Sequence, residues 1–245
     1  MKNIKLTIQY EGTNYRGWQK QKDSDKTIQG KLENVLSKMT GEEIALIGSG
    51  RTDAGVHAEK QIANFKMNSD FDCEYIINYC NNFLPQDIAV IAAKEMHPLF
   101  HARYNAKTKT YRYNINNNPI PNLFQRNFCY HVEEKLNIAL IKEASQLFIG
   151  EHDFRAFTTL KNKKKSTVRT IYDIKIIENY ENLQIYIIGN GFLHNMVRII
   201  TGTLIEVGLG KLNKDEIPNI FEEKARSSAG FTAPPQGLAL IDVTY

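Results

Sequence analysis

The sequence predicts an α+β fold of two halves, each with its elements in the order βαββαβ, the ferredoxin-like arrangement of antiparallel strands with helices on one face. Three observations predict it. Apolar and polar residues alternate in runs at 3–10, 168–177 and 183–189. Apolar residues recur at helical spacing between such runs. The order of these signals is the same in residues 1–103 and 104–245, although the halves share no clear sequence identity. Two such halves join edge to edge into one extended, mostly antiparallel sheet, each covering the other's exposed strand, and a central cleft is the default place for a site.

In the first half, NIKLTIQY (3–10) places Ile4, Leu6, Ile8 and Tyr10 on one face of a strand. Thr27 caps a helix whose apolar positions are Ile28, Leu32, Val35, Leu36 and Met39, and Gly41 stops it. Short strands are expected at 43–47 and 61–67, a helix at 72–83 ending before Pro85, and a strand through DIAVIAAKE. In the second half KTYRYNI (109–115) reads as a strand. Residues 135–149 read as a helix with Leu136, Leu140, Ala144 and Leu147 inward and Gly150 past its end. Strands follow at 168–177 and 183–189, then a helix over 192–206 (FLHNMVRIITGTLIE) and a closing strand, GLALIDVTY.

The 245 residues are 42% hydrophobic and 24% charged, enough to bury a sizeable core. The N-terminus lacks the unbroken apolar run of a signal peptide, and no run is long enough to span a bilayer. The expectation is a cytoplasmic protein without membrane association. Cys73, Cys80 and Cys129 have no metal-ligand spacing and read as buried reduced thiols. The net charge of +4 is unevenly spread, with cations concentrated in KNKKKSTVR (161–169) and RYNAKTKTYR (103–112). Such runs suit a polyanionic partner or form solvated loops.

One carboxylate stands apart. Asp53 lies in GSGRTDAGVHA (48–58), among glycines, with Arg51 before it and His57 after. Alone it reads as a turn former bonding the amides of Gly55 or Val56. The loop is neither a Walker loop nor a dinucleotide fingerprint, so no nucleotide cofactor is expected. Asp53 and His57 are too few ligands for a metal, and His97, His101 and His194 do not complete a set. A glycosidase needs two carboxyl groups, and a serine triad needs an elbow that GSGR does not provide. A lone aspartate held ionised beside a guanidinium acts as a nucleophile or proton acceptor, and Arg198 of the second half is a candidate partner across the cleft. The interleaved tyrosines and cations of KTKTYRY suit stacking on a nucleobase as well as ordinary strand packing.

Taken together, YEGTNYRGWQKQ, GSGRTDAGVHA, FHARYNAKTKTYRY, GNGFLHNMVR and TAPPQGLAL resemble, in order and spacing, the bacterial tRNA pseudouridine synthase A family over residues 10–240. The resemblance implies that Asp53 is the catalytic nucleophile and that Arg51 fills the stack when the target uridine flips out. It implies that Tyr111 packs on the flipped uracil and that Arg198 pairs with the aspartate. It further implies a homodimer, a central RNA-binding cleft, no metal or cofactor, and isomerisation of uridines at positions 38, 39 and 40 of the tRNA anticodon stem-loop. His57 is then a structural residue of the loop.

Overall fold

The computed structural model describes residues 1–160, 166–179 and 182–245, and the basic run 161–165 lies outside the described residues. The chain divides into two compact units, Met1–Lys107 with Ala239–Tyr245, and Thr108–Leu238. Both are built of helices and mostly antiparallel strands, the mixed architecture expected.

Unit 1 contains β1 (Lys2–Tyr10), α1 (Ile28–Thr40), β2 (Ile47–Gly48), β3 (His57–Met67), α2 (Cys73–Phe83) and β4 (Ile88–Met96). β1 pairs antiparallel with β3 and with β4, and β2 pairs antiparallel with β3, the strand order β4-β1-β3-β2 of a split βαβ unit. Period-two alternation puts Ile4, Leu6, Ile8 and Tyr10 in the core. The Thr27 hydroxyl accepts the amide of Gly30 at 3.3 Å and caps α1, worth about 1 kcal/mol. Gly41 ends the helix at φ 70°, its amide returning to the Ser37 carbonyl. Ile28, Leu32 and Leu36 are fully buried between these caps, each contributing roughly 1.5–3 kcal/mol.

The strand expected at 43–47 is reduced to Ile47–Gly48. Leu46 answers its backbone groups elsewhere: its amide donates to Glu33 Oε1 and its carbonyl accepts from Gln29 Nε2, both at 3.0 Å. Two buried polar side chains of α1 thus replace a sheet ladder there. β3, in turn, begins at His57 rather than at 61.

Unit 2 contains β5 (Thr108–Asn116), β6 (Tyr130–His131), α3 (Ile138–Gln146), β7 (Gly150–Asp153), β8 (Val168–Asn179), β9 (Asn182–Gly189), α4 (Met196–Gly208) and α5 (Ile217–Glu223). The ladder β5-β9-β8-β7 is antiparallel throughout, and β6 pairs parallel with β5. β7 and α5 lie outside the sequence expectation. The closing strand β10 (Leu238–Thr244) belongs to unit 1 from Ala239 onward, and within that unit Ala239 and Leu240 pair in parallel with His57 and Ala58.

Two helices start later than expected. Asn137 caps α3, its Oδ1 accepting the Leu140 amide, so the buried stripe is Ile141, Ala144, Ser145 and Phe148, an i, i+3, i+4, i+7 set. Leu136 is buried ahead of the helix, whereas Leu140 is only half-buried and Leu147 is exposed. α4 begins at Met196 because Asn195 adopts φ 62°, a left-handed turn that ends the extended segment before it. Of the thiols, Cys80 is buried and Cys73 and Cys129 are half-buried; all three are free. No described helix is long and apolar enough to cross a membrane.

Candidate active site

The Asp53 loop of unit 1 is held by the segment that follows β1. The amide of Trp18 donates to the Thr52 carbonyl at 3.1 Å, and the amide of Gly55 donates to the Tyr15 carbonyl at 3.3 Å. The two backbones approach so closely that only glycine fits. A Cβ on Gly12 would stand 2.0 Å from the Val56 carbonyl oxygen, and one on Gly17, at φ 95°, 2.7 Å from that of Thr52. Tyr10 pairs its hydroxyl with Thr52 Oγ1 at 2.8 Å, and burial pushes that hydroxyl's pKa up, keeping it protonated.

From below, Gln61 holds the other flank. Its Oε1 accepts from the buried Ser49 hydroxyl at 2.7 Å, and its Nε2 donates to the carbonyl of the half-buried Gly50 at 3.0 Å. Between these anchors Asp53 is half-buried and Arg51 exposed. Asp53 opens a tight turn, the Val56 amide donating to its carbonyl at 3.2 Å, while the Gly55 amide donates to the Tyr15 carbonyl.

His57 is buried, and its Nδ1 accepts the Gly12 amide at 3.0 Å. An accepting Nδ1 carries no proton, so the ring proton of this tautomer is on Nε2. His97 and His101 likewise spend Nδ1 on local amides. Among the described residues no group of three or more His, Cys, Asp or Glu side chains is placed to hold a metal ion.

In unit 2 Tyr111, on β5, is buried and meets Phe192 edge-on, with ring centroids 5.2 Å apart and planes at 87°. Phe192 opens the turn that leads into α4, where Arg198 lies in the first turn. Two acceptors fix the Arg198 guanidinium: Nε donates to the Ala233 carbonyl at 2.6 Å and Nη1 to Asn195 Oδ1 at 2.9 Å. Asn195 is itself tied to Thr159 Oγ1 at 2.8 Å. Below them Tyr113 is fully buried and donates its hydroxyl to the Pro234 carbonyl at 2.7 Å. Burial raises the Tyr113 pKa, against the lowering influence of the Arg198 charge.

Of the four residues singled out from sequence, Asp53 and Arg51 share one loop of unit 1, and Tyr111 and Arg198 belong to the Phe192–Arg198 neighbourhood of unit 2. Sequence reasoning passed over Tyr10, Gln61, Phe192, Asn195 and Ala233. All but Gln61 lie inside the stretches quoted above, which was the available signal. Gln61 reads as an ordinary polar residue at the start of the strand expected at 61–67.

A family model described as tRNA pseudouridine synthase matches residues 6–105 and 144–245. The chain is 49% identical over 245 residues to the tRNA pseudouridine synthase A 2 of Bacillus cereus, covering 100% of both chains. It is 49% identical to the tRNA pseudouridine synthase A of a Thermoanaerobacter species, again over 100% of both. With the tRNA pseudouridine synthase A 1 of Clostridium tetani it shares 51% identity over the same full coverage.

Proposed function

The chain belongs to the tRNA pseudouridine synthase family, and from that premise we propose that it isomerises uridine to pseudouridine in the anticodon stem-loop of tRNA, at positions 38, 39 and 40, with Asp53 as the nucleophile. The C1′–N1 glycosidic bond breaks, the uracil turns, and a C1′–C5 bond forms while C5 loses its proton and N1 gains one. Nothing is hydrolysed, so no second carboxylate is needed to activate water, in contrast to glycoside hydrolysis. Asp53 acts first, whether its carboxylate adds to C6 of the uracil, attacks C1′ or removes a proton from C2′.

The other residues take roles suited to their chemistry. Extruding the base costs a few kcal/mol of stacking and pairing, which the exposed Arg51, filling the vacated stack, offsets. Tyr111 packs on the flipped uracil, and Arg198, its guanidinium held by Ala233 and Asn195, takes the charge-partner role that the family resemblance gives it. The same premise carries a homodimer, a cytoplasmic location and a reaction without metal or cofactor.

One observation carries the reading of Asp53: it is the lone carboxylate of residues 48–58, on a loop clamped by buried hydrogen bonds at Ser49 on one side and Thr52 on the other. Preorganisation of this kind suits a nucleophile that must meet one carbon. Mapping pseudouridines in tRNA incubated with the protein tests the substrate. Modification at 38, 39 and 40 is expected; modification confined to other positions overturns the anticodon assignment.

A further inference from the structure

Residues 97–105 form a turn after β4 to which the activity proposed above assigns no role, and buried side chains of unit 1 hold its backbone. Asn3 donates through Nδ2 to the carbonyls of His97 at 3.1 Å and Phe100 at 2.9 Å. Asn64 accepts the Ala102 amide at 2.8 Å and donates to Asn3 Oδ1 at 2.9 Å. The Tyr245 hydroxyl donates to the Ala102 carbonyl, also at 2.8 Å. Asn3, Asn64 and Ala102 are all buried. Within the turn, Asn105 Oδ1 accepts the His101 amide at 2.7 Å, and His101 Nδ1 accepts those of Arg103 and Tyr104, each at 3.2 Å. Two carboxamides taken out of water are thereby committed to the backbone of one surface turn.

What this rigid turn displays is an aromatic face beside a cation. Tyr104 is 77% exposed and its ring stacks on His101 with centroids 4.1 Å apart and planes at 26°. Arg103 is exposed next to it, and its guanidinium has no ion-pair partner among the described residues. Residues 96–132 contain no aspartate or glutamate, while Arg103, Lys107, Lys109 and Arg112 all fall within them. Cations and stacking faces without acids complement a polyanion that carries π faces, which is a nucleic acid.

The turn is remote from Asp53. β3 starts at His57, beside the Asp53 loop, and β1 Tyr10 pairs with Ala58 there. Asn64, which pins the turn, lies seven residues farther along the strand, about 23 Å at the usual rise per residue. A nucleotide on Tyr104 is therefore a different one from the uridine at Asp53.

Resting on the function proposed above, we propose that the His101–Tyr104 turn is a second tRNA contact, with Tyr104 stacked on an unpaired base and Arg103 paired with a phosphate, distant from the isomerised uridine. The test uses the Asp53→Asn full-length chain and unmodified tRNA in filter binding. Tyr104→Ala is expected to raise Kd about 5- to 150-fold, the range for loss of one base–aromatic stack. Tyr104→Phe should stay within about twofold of the parent, since every aromatic face stacks. Arg103→Ala should lower the salt slope of log Kd by about one. Tyr104→Trp adds a fluorophore at an exposed position, and tRNA should quench it; the chain's own Trp18 is buried. Unchanged Kd and slope in the two alanine variants, with no quenching, overturn the proposal. So does a conversion of dimer to monomer in sedimentation without quenching, which assigns the turn to a contact between copies. If the intact chain releases no tritium from 5-tritiated uridine in tRNA and binds none, the function itself fails; if it does both and the variants bind like the parent, only the second contact fails.

Discussion

The amide of Gly12 donates to Nδ1 of His57 at 3.0 Å, joining the segment after β1 to the start of β3 across the loop that carries Asp53. This bond gives His57 a structural task and joins the stretches 10–21 and 48–58 into a single device. Nδ1 is committed as an acceptor to the loop's backbone, so removal of the ring should be felt in the loop.

His57→Ala leaves the buried Gly12 amide without an acceptor, a loss of about 1–3 kcal/mol. The expected result is a fall in Tm of roughly 2–10 °C together with reduced turnover. Full thermal stability with abolished turnover would instead mark His57 as a participant in the chemistry.

Gly12→Ala should be among the most damaging single methyl additions, because its Cβ would stand 2.0 Å from the Val56 carbonyl oxygen. Displacing the loop by even part of an ångström moves Asp53 from its carbon, so kcat/KM should fall at least about tenfold. Urea unfolding and steady-state kinetics read the two consequences separately. Wild-type values in both would show that the loop tolerates the shift.

Tyr111→Phe keeps the aromatic face and should hold most of the activity, whereas Tyr111→Leu removes it and should lose on the order of tenfold or more. Kinetics on tRNA compare them directly. Equal activity in all three forms would take Tyr111 out of the uracil site.

Arg198→Lys should be costly despite retaining the charge. The guanidinium donates simultaneously to the Ala233 carbonyl and Asn195 Oδ1, and an ammonium on a flexible stem cannot reproduce that planar fork. A drop in kcat of about a hundredfold is expected, with tRNA binding largely kept. A lysine variant as active as the parent would show that position, not planarity, is what matters.

Much of this was legible from local pattern. Thr27 and Gly41 bracket a helix whose signals all lie within it, and the structure has that helix between those caps. The failures are non-local. The strand at 43–47 is cut short because Gln29 and Glu33, far earlier in the chain, answer the backbone of Leu46. The closing strand was readable as a strand, but its pairing with His57 and Ala58 was not, since no local pattern names a partner. At the candidate site Asp53 stood out as a single acid among glycines. Gln61 did not, because a buried glutamine and a solvent-facing one look alike in sequence.

The most direct measurement is release of tritium from 5-tritiated uridine in tRNA by the purified chain and by its Asp53→Asn variant. The intact chain should release tritium as C5 joins C1′, and Asp53→Asn, isosteric but not nucleophilic, should release none while still binding tRNA. Substantial release by Asp53→Asn would contradict the assignment of Asp53 as nucleophile.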